Sequence, residues 1–257
     1  MRTSSRLLGS ALAAVLAVSG LSACGGGESG SGSDQVTLRV FAAASLTGTF
    51  TELGKQFEKA HPGTTVQFNF GPSSGLAEQI GSGAPADVFA SASPANMDTV
   101  VQGGDAKDPK DFATNSMEIA LPPDNPGKVA RLSDLAKPGV KVALCQAQVP
   151  CGKVATEVFS KAGLTVKPIS EEVDVKSVLT KVTLGEVDAG VVYVTDVLAA
   201  GDKVKGVQIP AGQNAETTYP IAALTGSKHA RTASEFVDLV LSEEGAAALT
   251  KAGFQGP

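Results

Sequence analysis

Ser45 closes the apolar run Val40-Phe-Ala-Ala-Ala-Ser-Leu46, and Ser73 lies in Phe70-Gly-Pro-Ser-Ser-Gly-Leu76. Each run reads as a strand whose end meets a serine that opens a helix. Such a serine presents a hydroxyl and a free backbone N–H, where unpaired amides and the helix macrodipole favour an anion. Two later segments share this character. Pro150 in Pro150-Cys151-Gly152 suits a first helical turn, and Asp174 in Asp174-Val175 suits an N-cap. Tyr193, ending Gly190-Val-Val-Tyr193, adds a phenol. Ser45, Ser73, Cys151, Val175 and Tyr193 together offer about seven donors, close to what a buried tetrahedral oxyanion accepts.

No lysine or arginine sits in these segments. Donors fixed in the backbone cannot be lost by deprotonation, and they cannot serve a protonated ligand that needs an acceptor. The pattern therefore expects a fully deprotonated dianion, sensed by size. Plainer roles compete with this one: Ser45 as a simple helix cap, Tyr193 as a core residue with a satisfied hydroxyl, and Asp87 and Asp196 as turn formers. One catalytic alternative exists. Gly71-Pro-Ser-Ser-Gly75 matches the G-x-S-x-G nucleophile elbow, which would make Ser73 the nucleophile of a secreted serine hydrolase with His229 as its base.

Positioning these residues requires alternating strands and helices. Strands are expected at 36–43, 64–70 and 86–90, with helices at 46–59, 74–81 and 94–101. A second series expects strands at 115–121, 140–144, 165–168 and 189–194, with helices at 132–136, 152–162 and 175–184. A strand at 221–224 and helices at 233–241 and 243–252 complete the chain. This alternation predicts an α/β architecture of two lobes built on parallel sheets, with ligands outside the carboxyl ends of the strands. Lobe one is expected over 35–114 and 222–257, and lobe two over 115–221.

The first residues read as targeting rather than fold. Arg2 and Arg6 precede an apolar run that is short for a membrane span, so 1–23 reads as a signal peptide. Leu21-Ser-Ala-Cys24 looks like a bacterial lipobox with Cys24 as the lipidated residue, followed by a Gly/Ser-rich tether over 24–34. Removing the signal takes two arginines, so the formal charge moves from −5 to −7. Nucleic acid is excluded as a partner, since its binding needs a basic footprint. Tryptophan is absent and aromatics make up 5 %, so aliphatic residues must fill the cores. Cys145 and Cys151, a close pair in an exported chain, are expected to form a disulfide, with a metal site as the alternative.

At these motifs the chain resembles the molybdate-binding receptors of bacterial ABC importers. Gly83-Ala-Pro-Ala-Asp-Val-Phe89, Val149-Pro-Cys-Gly152 and Val191-Val-Tyr-Val-Thr-Asp196 extend the likeness over almost the whole mature chain. The resemblance implies a type II periplasmic-binding-protein fold, with molybdate or tungstate held between two lobes and delivered to an ABC permease. It implies ligand positions at Ser45, Ser73, Cys151, Val175 and Tyr193, no cofactor and no enzymatic activity. A monomer, lipid-anchored at Cys24 to the outer face of the cytoplasmic membrane, is expected, with a receptor for another tetrahedral oxyanion such as sulfate as the alternative. Cys151 departs from the small residue familiar in that family, which a backbone donor tolerates.

Overall fold

The computed structural model describes residues 35–257. The signal peptide, Cys24 and the tether lie outside them. No helix among the described residues is long and apolar enough to cross a membrane. The chain runs through β1 (Val36–Ala43), α1 (Thr47–Ala60), β2 (Thr64–Gly71), α2 (Ser73–Gly81), β3 (Val88–Ala90) and α3 (Pro94–Gln102). It continues through β4 (Lys110–Leu121), β5 (Val142–Cys145), α4 (Pro150–Lys161), β6 (Ser170–Glu172), α5 (Val175–Thr183) and β7 (Ala189–Tyr193). The last elements are α6 (Val194–Ala200), β8 (Lys205–Gln208), β9 (Glu216–Ala223), α7 (Ala230–Leu241) and α8 (Glu243–Lys251).

The strands lie in the order β2-β1-β3-β9-β4-β7-β5-β6, with β8 also pairing β4. β1 is parallel to β2 and β3, and β5 is parallel to β6 and β7. Between these parallel sets, β9 and β4 run antiparallel to their neighbours and to each other. The expected parallel sheets are thus joined by an antiparallel pair of crossing strands. The hydrophobic cores divide along β4: Phe112 and Ala113 pack with β1 and α1, whereas Met117 and Ile119 pack with β5, β7 and α4. β9 contributes Tyr219 and Ile221 to the first of these cores.

Strand alternation builds a further layer. Val40, Val88 and Ala90 face α1 and α7, while Phe41 and Phe89 turn to the other face, against α2 and α3. Phe50, Phe57, Phe68 and Phe236 meet edge to face in the first layer, with ring centroids 5.4–6.4 Å apart. This aromatic cluster includes two residues of α1, whose N-terminus follows Ser45.

Several boundaries differ from expectation. The strand expected at 165–168 is absent, and the edge strand is β6, at Ser170–Glu172, paired with Ala143–Cys145. β4 and β9 each begin five residues early, because Lys110–Ser116 and Glu216–Ile221 pair with each other despite their polarity. α6 and β8 were not expected. β8 is largely exposed, so it carries no hydrophobic periodicity.

Gly190 sets how closely α5 lies on β7. A Cβ there would stand 2.7 Å from Val178 Cγ1 and 2.9 Å from Val182 Cγ2, both core side chains. Gly190→Ala is expected to lower unfolding stability by about 1–3 kcal/mol through overpacking. Urea denaturation checks this, and an unchanged midpoint would contradict the packing described.

Candidate functional site

Six strand ends and the turns that follow them meet at one small pocket. Its walls are Ala43–Ser45 after β1, Gly71–Ser73 after β2, Ala92 after β3, Val149–Cys151 after β5, and Asp174, Val175 and Tyr193. Residues of both cores contribute, Ala43 and Ala92 from one, Val149, Cys151, Val175 and Tyr193 from the other. All five residues singled out in the sequence line it. The cavity measures about 20 Å³, so it suits a group of a few atoms and excludes a sugar or peptide. The wall contains no cationic side chain.

Each donor has a local cause. Ser45 sits in a single 3-10 turn, Ala44–Leu46, ahead of α1, rather than in the α-helix itself. Ser73 is the first residue of α2, with Pro72 as N-cap. Cys151 and Val175 lie in the first turns of α4 and α5, whose N–H groups have no intrahelical acceptor. Asp174 caps α5 as expected, accepting from Ser177 N–H at 2.8 Å.

The serine hydroxyls are held. Ser73 Oγ, fully buried, accepts from Ala92 N–H at 3.0 Å, which leaves its own proton free. Ser45 Oγ lies 2.9 Å from the Tyr219 hydroxyl. Tyr193 differs. Its hydroxyl is buried and has no hydrogen-bond partner among the described residues. An unpaired buried hydroxyl costs about 1–3 kcal/mol; the Tyr219 ring lies beside it, with centroids 6.3 Å apart.

Two neighbours of the site carry charge. Lys176, one residue past Val175, pairs with Asp196 at 2.8 Å. Asp196 is fully buried and accepts from Tyr193 N–H at 3.1 Å. Burial raises its pKa, and Lys176 opposes that rise. The pair thus ties the start of α5 to the start of α6, and Lys176 is committed to a carboxylate. Asp87 serves structure too, accepting from Arg39 N–H and from Ser227 Oγ.

Cys145 and Cys151 form a disulfide between the end of β5 and the first turn of α4, with Cα atoms 5.8 Å apart. Gly152 makes the tight approach possible. A Cβ there would fall within 1.9 Å of the Gln146 carbonyl oxygen. Neither histidine reaches Ser73. His61 stacks on Phe57, and His229 stands at the start of α7. Sequence reasoning missed Tyr219, Thr217 and Ala92 beside the serines and Asn115 beside Thr195; the placement of Thr217 and Tyr219 two residues apart, on one face of a strand, is the signal that could have found two of them.

A sequence profile described as bacterial extracellular solute-binding protein matches residues 38–255. The chain is similar to the molybdate-binding protein ModA of Mycobacterium tuberculosis, at 41 % identity over 97 % of this chain and 98 % of that one. It is similar to the putative ABC transporter substrate-binding lipoprotein YvgL of Bacillus subtilis, at 36 % identity over 95 % of each. Among solved structures, the substrate-binding domain of a putative molybdenum ABC transporter from Clostridium difficile matches with TM-score 0.65 and 30 % identity. That match covers 86 % of this chain and 99 % of the other.

Burial pushes the Tyr193 phenol well above its ordinary value, and Tyr219 shifts the same way. Both folded pKa values exceed the unfolded value of 10.0, so their contribution to stability is full below that pH and is lost as pH rises past it. Tyr193→Phe removes a hydroxyl that has no partner among the described residues. The ligand-free variant is expected to be at least as stable as wild type, and to lose less stability above pH 10. Thermal unfolding from pH 7 to 11 checks both; marked destabilisation at neutral pH would contradict an unpartnered hydroxyl.

Proposed function

We propose that this chain, which belongs to the bacterial extracellular solute-binding protein family, captures molybdate, and tungstate with it, in the pocket between its two lobes. Ser45 and Ser73 give hydroxyl and N–H donors, Cys151 and Val175 give N–H groups, and Tyr193 gives its phenol. The observation that carries this reading is the Tyr193 hydroxyl, buried and without a partner among the described residues, in a wall that holds serine hydroxyls and helix-start amides and no cationic side chain. The likeness to molybdate-binding proteins supports the same ligand class. Charge burial is offset by helix ends and charge-assisted bonds, each about twice a neutral one.

The lobes are residues 35–114 with 222–257, and 115–221, and closure on the anion brings them together. Cys24 anchors the protein by lipid outside the cytoplasmic membrane, as the lipoprotein name of its Bacillus subtilis relative supports, and the loaded receptor delivers its anion to an ABC permease. The Cys145–Cys151 bridge is closed in the exported protein and keeps the Cys151 N–H aimed at the anion, which aids binding by preorganisation. Hydrolase chemistry at Ser73 lacks support, since its oxygen takes a hydrogen bond from Ala92 N–H and no histidine adjoins it among the described residues.

Molybdate should raise the melting temperature following RT ln(1 + [L]/Kd), and sulfate and phosphate at equal concentration should do much less. Equal shifts with all of them would sink the size-selective reading. Ser45→Ala and Ser73→Ala should each cost about 1.5–3 kcal/mol of binding by calorimetry, while Val175→Ala keeps its N–H and costs far less. A large loss at Val175 with none at either serine would reverse the assignment. Replacing Cys145 and Cys151 together by serine should weaken binding modestly, and abolished binding in a folded variant would mean that sulfur touches the ligand.

A further inference from the structure

Behind the pocket, the two crossing strands carry a polar layer in an otherwise apolar region. Thr217 and Tyr219 lie two residues apart on β9, so they point to the same face. Both are buried. The Thr217 hydroxyl donates to the Ala92 carbonyl at 2.7 Å, and the N–H of that same Ala92 donates to Ser73 Oγ at 3.0 Å. The Tyr219 hydroxyl meets Ser45 Oγ at 2.9 Å. One residue of β9 therefore stands behind each serine.

Opposite Thr217 in register on β4 is Asn115, whose amide donates to Thr195 Oγ1 at 2.8 Å, two residues past Tyr193. The crossing pair thus reaches one serine's support in the first core and the Tyr193 turn in the second.

We propose that Thr217 and Tyr219 are positioning residues that fix the polarity of the serine hydroxyls, and that they thereby set the preference for an unprotonated oxyanion. Tyr219 is fully buried and packed on Phe112, Tyr193 and Phe254, so its hydroxyl cannot turn to water. Once an anion occupies the pocket, Ser45 turns its proton to the anion and its oxygen accepts a hydrogen bond from the Tyr219 O–H. Each bond in such a chain strengthens the next. With its oxygen already engaged by Tyr219, Ser45 is a poor acceptor for a proton carried by the ligand. Ser73 is restrained in the same way through Ala92, which Thr217 anchors. The inference rests on the assignment of the two serines as oxyanion donors.

The test is a double-mutant cycle of Ser45→Ala and Tyr219→Phe, read by calorimetry with molybdate and with phosphate, which keeps a proton at neutral pH. Tyr219→Phe should weaken molybdate about threefold to tenfold, the worth of one neutral hydrogen bond. It should weaken phosphate less, so the preference for molybdate falls. In the Ser45→Ala background the same change should cost almost nothing more, because the bond it removes has gone. Thr217→Val should weaken molybdate similarly while Thr217→Ser, which keeps the hydroxyl, restores it; this pair carries the test even where Tyr219→Phe fails to fold. Additive losses in the cycle, an unchanged molybdate-to-phosphate ratio, or a Thr217→Ser as poor as Thr217→Val would overturn the proposal. A harmless Ser45→Ala would overturn the oxyanion assignment itself.

Discussion

A buried hydroxyl needs a partner, and that of Tyr193 has none among the described residues. The surrounding structure can be understood as the means of holding this group, and the donors beside it, around a space a few atoms wide. Such donors must come from the ends of elements, where helix amides and hydroxyls are not already paired. They must also be rigid, since a donor that relaxes onto a neighbour is lost to a ligand. β1, β2, β3, β5, β6 and β7 all deliver their carboxyl ends to the pocket or to the turns lining it, and the helices that follow stay packed against the sheet.

Rigidity comes from few contacts. Gly190 lets α5 sit close on β7, Gly152 lets α4 start against the Gln146 carbonyl, and the Cys145–Cys151 bridge closes that loop. Asp196 holds Tyr193 N–H and Lys176 together across two helix starts. The proposed consequence is a site in which neutral donors face the anion and the nearby lysine is neutralised by its own carboxylate. Such a site discriminates by radius and protonation state rather than by net charge, and a rigid frame is what such discrimination requires.

The pocket residues were legible in the sequence because they follow strong local patterns, an apolar strand running into a serine, or a capping aspartate before a helix. Convergence at one pocket was legible only through strand alternation and the rule that α/β sites lie at strand carboxyl ends. What was missed lacks local contrast. β8 is exposed and polar, and the early residues of β4 and β9 are strand only because each supplies the other's hydrogen bonds. The region 165–168 looked like a strand from its β-branched residues, yet pairing with β5 falls instead at the more polar Ser170–Glu172. Tyr219 escaped notice because its partner Ser45 lies 174 residues away. Long-range partners of that kind leave no mark on spacing.

The central claim is that a bare oxyanion sits among these neutral donors. Crystals of residues 35–257 grown with molybdate, with diffraction recorded across the molybdenum absorption edge, locate the metal without reference to any assumed pose. The account predicts one anomalous peak in the pocket, its oxygens within hydrogen-bond distance of Ser45, Ser73, Tyr193 and the Cys151 and Val175 amides. A peak paired with the Lys176 ammonium instead, or one outside the pocket, would contradict it.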